Sequence, residues 1–163
     1  MGADSSMTAL RVYFAYGSNM SSPRLIARVG AVEVLGRAQL SDHEHRFSKL
    51  GFDGTGKGNV EPRVGSVVHG VAYGLTEVQL VRLAKFEGGY RRVELEVEVR
   101  GVWRAAVTFV ALRPGDAPPP SSEYVAHYRR GIVEHDLPRS YAEAIFDGLG
   151  GWCDTGPMSG GSP

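Results

Sequence analysis

Two features of the 163-residue sequence could do chemistry. One is the run Tyr13-Phe14-Ala15-Tyr16-Gly17-Ser18-Asn19-Met20, where an apolar, aromatic segment breaks at a glycine into two short polar side chains. A strand that stops so abruptly presents backbone N–H groups, a hydroxyl and an amide at one point, which suits an oxyanion or a carboxylate. The other is Glu87, at the end of the amphipathic segment from Thr76 to Glu87. It follows Leu80, Leu83 and Ala84 at spacings that set it on the apolar stripe of a helix. Burial there, and the helix C-terminus, both disfavour the carboxylate and raise its pKa. A glutamate that accepts and returns a proton near neutrality needs that direction of shift. A helix ending one residue sooner leaves Glu87 exposed, and spacing alone does not decide between the two.

Other chemistries have weaker footing. Gly17-Ser18-Asn19-Met20 lacks the glycines that a nucleophile elbow places two residues to each side of its serine, so Ser18 is not the expected nucleophile. His43-x-His45 could form one edge of a metal site, yet no further ligand stands at a recognisable spacing, and no metal is expected. His69 alternates with strand residues and reads as structural. Gly51-Phe52-Asp53-Gly54-Thr55-Gly56-Lys57 opens like a phosphate-binding loop, but Gly58 stands where the magnesium-holding hydroxyl belongs, and no cofactor is expected.

The elements that must position these residues follow from pattern. Arg11–Tyr16 is a first strand, and Pro23 suits the first turn of a helix over 20–29 with Leu25, Ile26 and Val29 inward. Val32–Leu40 and Arg46–Leu50 read as strands. The glycine-rich stretch 51–65 reads as a surface loop, and Gly65–Tyr73 as another strand. Thr76 and Gln79 make a capping-box pair at the start of the Glu87 helix, which Gly88-Gly89 stops. Val93, Leu95, Val97 and Val99 alternate with charged residues in a half-exposed strand, which turns at Gly101 into Trp103–Leu112 as a hairpin. After a Pro-rich loop, helices are expected over 122–133 and 140–149, the latter with Tyr141, Ala144 and Ile145 inward. Strands and helices mixed in this order indicate one α+β domain over 11–150, a mixed, strongly bent sheet or small β-barrel flanked by helices. Residues 1–10 and 151–163 read as flexible tails.

Composition narrows the partners. Lys and Arg total 18 against 18 Asp and Glu, so no net field favours nucleic acid or a membrane surface. The lone Cys153 forms no intrachain disulfide. No apolar run spans a bilayer and no secretory leader opens the chain, so a cytoplasmic protein is expected. Gly2 with Ser6 meets the loose myristoylation pattern, which common residues satisfy by chance.

The Tyr-Phe-Ala-Tyr-Gly-Ser-Asn-Met run at 13–20, with Phe86-Glu87-Gly88, resembles the γ-glutamylcyclotransferase family, which includes γ-glutamylamine and antibiotic-biosynthesis cyclotransferases. The likeness runs over residues 11–147 and takes in Pro118-Pro119-Pro120 leading to Tyr124, then Asp136-Leu137-Pro138. It implies a γ-glutamylcyclotransferase that converts a γ-glutamyl amide to 5-oxoproline and a free amine or amino acid. Glu87 would be the general acid/base. The γ-glutamyl group would be held by Tyr13, Phe14, Ala15, Tyr16, Gly17, Ser18 and Asn19, with Tyr90 and Tyr124 lining the pocket. The partner implied is a small γ-glutamyl substrate. The leaving amine and the oligomeric state are not legible. A γ-glutamyl-binding module without turnover is the alternative of a different class.

Overall fold

The structure, a computed structural model, describes residues 9–152. Of the tails expected at 1–10 and 151–163, all but residues 9, 10, 151 and 152 lie outside the described residues, as do Gly2 and Cys153. Five strands close into a barrel in the order β1-β3-β2-β4-β5. They are β1 (Arg11–Ala15), β2 (Glu33–Leu50), β3 (Gly56–Leu75), β4 (Tyr90–Val99) and β5 (Val102–Ala111). β1 runs antiparallel to β3 and closes the barrel through a parallel contact with β5, Tyr13 beside Val107. The sheet is therefore mixed, and four helices flank it: α1 (Ser22–Val29), α2 (Glu77–Ala84), α3 (Ser122–His135) and α4 (Arg139–Ile145).

Alternation along β1 divides the core in two. Val12 and Phe14, with Tyr16 just past the strand, join a cluster whose other buried members come from strands, among them Leu40, Val68 and Val97, with Tyr141 of α4 packed against it. Tyr13 and Ala15 face the other way, into a cluster that includes Leu25 of α1, Leu80 and Leu83 of α2, and Tyr128 of α3. Period-2 side chains on a closed sheet produce this inside and outside.

The segment 32–75 departs from the sequence reading. In place of three strands and a long loop there are two strands, of 18 and 20 residues, joined across 51–55. The glycines disguised the second strand. A Cβ on Gly56 would overlap the Pro118 carbonyl oxygen, and one on Gly58 would overlap the Tyr128 hydroxyl. They permit close approach rather than a loop conformation. Register shifts at Val34/Gly36, Ser41/His43 and Arg46/Lys49 bend this hairpin. Its distal half meets the segment before α3, with Gly56 N donating to Pro119 O at 3.4 Å.

β4 and β5 form the expected hairpin. Arg100 and Gly101 at the turn both have positive φ, 51° and 82°, the twist a two-residue hairpin needs.

The helices correct three details. α1 starts beside Pro23 and buries Leu25 and Val29, while Ile26 is largely exposed. α4 buries Ala142, with Phe146 just beyond it, instead of Ala144. The capping box of α2 is present, Thr76 Oγ1 accepting from Gln79 N and Gln79 Oε1 from Thr76 N. That helix nonetheless stops at Ala84, before Glu87, and Val78, Val81 and Phe86 are exposed. The apolar stripe expected to carry Glu87 inward is therefore not what places it.

Candidate active site

β1 ends where its last aromatic, Tyr16, donates to Phe109 O of β5 at 2.6 Å. Gly17 follows, and a Cβ there would lie 3.0 Å from the Tyr128 hydroxyl, so a small residue suits the close approach to α3. Ser18–Met20 then form a single helical turn. Its own bonds, Met20 N to Gly17 O and Ser21 N to Ser18 O, use the later N–H groups. The first N–H groups of such a turn have no acceptor within it.

Beyond α2 the chain makes two further turns, Glu87 N to Ala84 O and Tyr90 N to Glu87 O. They swing Glu87 back toward the loop. Asn19 receives it: Asn19 Nδ2 donates to Glu87 Oε1 and to Tyr13 Oη, each at 3.0 Å. Arg28 Nη1 donates to Asn19 Oδ1 at 3.3 Å, which fixes the orientation of the amide because a guanidinium can only donate. Burial raises the Glu87 pKa above the usual carboxylate range, against the opposing pull of Arg28, Asn19, Arg24 and Lys49. The shift has the direction the sequence suggests. Its cause is the enclosure of the turn after α2 by the loop, not a position on a helix stripe.

A cavity of about 30 Å³ lies at this point, lined by Tyr13, Tyr16, Gly17, Ser18, Asn19, Gly58, Glu87, Tyr90, Phe109 and Tyr124. The sequence-derived residues are thus brought together with two exceptions. Phe14 and Ala15 do not line the cavity. Phe14 is fully buried among strand residues, its carbonyl accepting from Thr108 Oγ1 at 2.7 Å, and Ala15 packs into the other core cluster. Alternation turns Phe14 away from Tyr13, while Ala15, on the Tyr13 side, packs into the helix-facing cluster instead of the cavity wall.

Gly58 and Phe109 were not anticipated. Tyr90 Oη donates to Gly58 O at 2.7 Å, and Gly58 N donates to Tyr124 Oη at 2.9 Å. The hairpin backbone is thereby clamped between the two tyrosines that flank Glu87. The signal for Gly58 was present in the alternate glycines 56 and 58, a pattern of close backbone approach on one face of a strand. Phe109 carries no such signal, being one apolar residue among many in β5. Beneath the clamp His45 Nε2 and Tyr128 Oη are 2.7 Å apart, and burial takes the His45 pKa down to about 3, so the ring is neutral.

Ser18 has no base. Its Oγ accepts from Arg24 Nε at 3.0 Å, and a guanidinium cannot take a hydroxyl proton. Among the described residues no group of three or more His, Cys, Asp or Glu could hold a metal, and no helix is long and apolar enough to cross a membrane.

The barrel fold is also that of known proteins. The chain belongs to the family described as gamma-glutamyl cyclotransferase, AIG2-like, which it matches over residues 13–130. A solved gamma-glutamyl cyclotransferase is 26% identical, with a TM-score of 0.74 over 81% of this chain and 83% of that one. A human protein described as uncharacterized is 25% identical, with a TM-score of 0.75 over 82% of this chain and 84% of that one. YkqA from Bacillus subtilis is 25% identical, with a TM-score of 0.76 over 86% of this chain and 54% of that one. No curated protein sequence matches the chain.

Proposed function

We propose that the protein is a γ-glutamylcyclotransferase in which Glu87 moves the protons and the turn after β1 holds the γ-glutamyl group. The observation that carries this reading is the Asn19–Glu87 hydrogen bond of 3.0 Å, which ties a glutamate of raised pKa to the wall of the cavity. Membership of the family favours a small-molecule substrate and cyclotransferase chemistry in general. The assignment of roles rests on the geometry.

A γ-glutamyl amide contains its own nucleophile. Glu87 takes a proton from the α-ammonium, and the freed amine attacks the γ-carbonyl carbon. A new C–N bond closes the five-membered ring and the carbonyl oxygen becomes an oxyanion, which the first N–H groups of the turn are suited to receive. The C–N bond to the leaving amine then breaks as Glu87 returns its proton to the departing nitrogen. The ring nitrogen sheds a second proton and the free amine gains one, so 5-oxoproline and an ammonium result with atoms and charge conserved. Held in a folded conformation, the chain reacts within one molecule, which lowers the entropic part of the barrier.

At Gly58 the hairpin takes two hydrogen bonds, accepting from Tyr90 Oη and donating to Tyr124 Oη.

The test is 5-oxoproline release from γ-glutamyl dipeptides and γ-glutamyl alkylamides by the wild-type protein and by Glu87→Gln. Turnover is expected with the first, and a fall of roughly 10²–10⁴-fold with the second, the usual contribution of a positioned acid/base. Absence of 5-oxoproline from every γ-glutamyl compound overturns the activity. Equal turnover by the Gln variant overturns the role of Glu87.

A further inference from the structure

A cavity of about 490 Å³ shares no lining residue with the active site. It lies along the seam between β2 and β4, which pair at two positions, Ala38 with Val99 and Gln39 with Glu98. Gln39 also pairs with His69 of β3, so His69, Gln39 and Glu98 stand side by side on one face. Val71 and Tyr73 follow His69 at alternate positions of β3 and belong to the helix-facing cluster, so this is the outer face of the barrel. The end of α3 and its connection to α4, with His135, Leu137 and Pro138, complete the wall.

Continuing the Gln39–Glu98 register by two residues sets Arg37 opposite Arg100, and both line the cavity. Like charges directly opposite each other across a sheet repel. Neither arginine has a carboxylate within ion-pair distance among the described residues. Backbone holds both in place all the same. Arg37 Nη1 donates to Asp136 O at 2.7 Å. Arg100 lies against Gly36, where a Cβ would stand 2.6 Å from Arg100 Nε and where φ is 127°. Glycine is the residue that permits both the approach and that backbone angle.

The chemistry of this lining is mainly that of donors. Two guanidiniums can only donate, and Gln39 and His69 each carry an N–H. Glu98 is the one carboxylate in the lining and does not balance two arginines. Among the described residues no group of three His, Cys, Asp or Glu could hold a metal, so His69, His135 and Glu98 do not make a cation site. Leu137 and Pro138 add apolar surface, and a volume of this order suits a small organic molecule fixed by a few polar groups.

We propose that this cavity binds a small organic anion, its carboxylate or phosphate head bridging Arg37 and Arg100 and its apolar body lying against Leu137 and Pro138. The site is independent of the cyclotransferase reading. An oxyanion between the two guanidiniums replaces their repulsion with charge-assisted hydrogen bonds. Burial and the neighbouring Arg37 lower the His69 pKa, so its ring is neutral at pH 7 and donates one N–H to the same head. Glu98 limits the charge of the ligand, because each further negative group would face it.

Benzoate, phenyl phosphate and benzylamine present an aromatic body behind a carboxylate, a phosphate and an ammonium, and they test the site on the full-length protein. The imidazole NMR signals of the five histidines report where each probe goes, since His69 and His135 line this cavity and His43, His45 and His127 do not. Benzoate and phenyl phosphate are expected to shift the His69 and His135 signals saturably, and benzylamine is not. The tighter of the two anions assigns the head group. Arg37→Gln and Arg100→Gln are each expected to weaken that binding about tenfold, the worth of a hydrogen bond to a charged group. Thermal melts matching wild type show that the variants fold, and the wild-type probe series decides the matter if one does not. Binding of benzylamine as tight as that of the anions overturns the proposal. So do anion shifts of unchanged affinity in both variants, and so does a saturable shift confined to His127, which contacts Arg24 at the active site. No saturable shift of His69 with either anion overturns it as well.

Discussion

Asn19 Nδ2 stands 3.0 Å from Glu87 Oε1 and 3.0 Å from Tyr13 Oη, so one amide joins the turn after β1 to the turn after α2. The two segments are 68 positions apart in sequence. Both amide hydrogens are committed, and Asn19 is only 4% exposed. Asn19 therefore positions Glu87 more than it contacts anything in the cavity.

Its removal has a specific expected outcome. The Asn19 bond holds the Glu87 pKa down against burial, so Asn19→Ala raises that pKa further. The acid limb of the kcat/KM profile moves to higher pH, and activity at neutral pH falls roughly 10–100-fold, as expected for a lost bond to a charged group. A pH–rate profile that keeps its acid limb unmoved would show that the bond does not tune Glu87.

Glu87 also couples stability to pH. Its folded-state pKa is raised above the unfolded value, so the folded state holds its proton more tightly. The corresponding stability is fully present below the unfolded pKa and is lost as pH rises through the folded one. Glu87→Gln, which cannot ionise and still offers an acceptor to Asn19, is expected to melt above wild type at pH 8. The gap should narrow toward pH 4. Thermal melts of both proteins across that range check the sign, and a variant less stable at high pH contradicts it.

Gly58 is expected to tolerate no side chain. A Cβ there overlaps the Tyr128 hydroxyl and lies 3.0 Å from His45 Nε2. Gly58→Ala should cost about 1–3 kcal/mol, typical of overpacking. It should also lower activity by displacing Tyr90 and Tyr124, which bond the same residue. Adding Tyr128→Phe removes the obstructing oxygen and should restore part of the loss. Urea titrations of the double-mutant cycle measure that coupling.

Ser18→Ala separates the cyclotransferase reading from a serine amidase. The variant loses one hydrogen bond, that of Arg24 to Ser18 Oγ. Activity should stay within about tenfold of wild type, the worth of an ordinary bond. A loss as deep as that of Glu87→Gln would make Ser18 a reacting group after all.

Local chemistry was largely legible from the chain alone. The apolar run broken at Gly17, Pro23 at a helix start, the Thr76/Gln79 cap and the alternation of β4 each follow from interactions within a few residues. They reappear in the structure nearly where sequence put them. The motif names Phe14 and Ala15 with the rest of the run, whereas Phe14 is buried among strand residues and Ala15 in the helix-facing cluster, neither lining the inner cavity.

What sequence did not determine is whatever depends on which distant segment comes alongside. Stretch 51–65 looks like a loop because glycine lowers strand propensity. Its last ten residues are strand because β2 offers partners from Gly56 to Pro62, and Gly58 is where Tyr128 approaches. Spacing left open whether Glu87 sits inward on a helix stripe or exposed past the helix end, and the helix ends at Ala84. Glu87 faces the cavity because Asn19 meets it there. The sequence by itself determined the strand, the turn and the caps, whose energetics are local. Only the closed barrel decided the enclosure that raises the Glu87 pKa and the gathering of Arg24, Arg28 and Lys49, since burial and long-range charge are properties of the assembled chain.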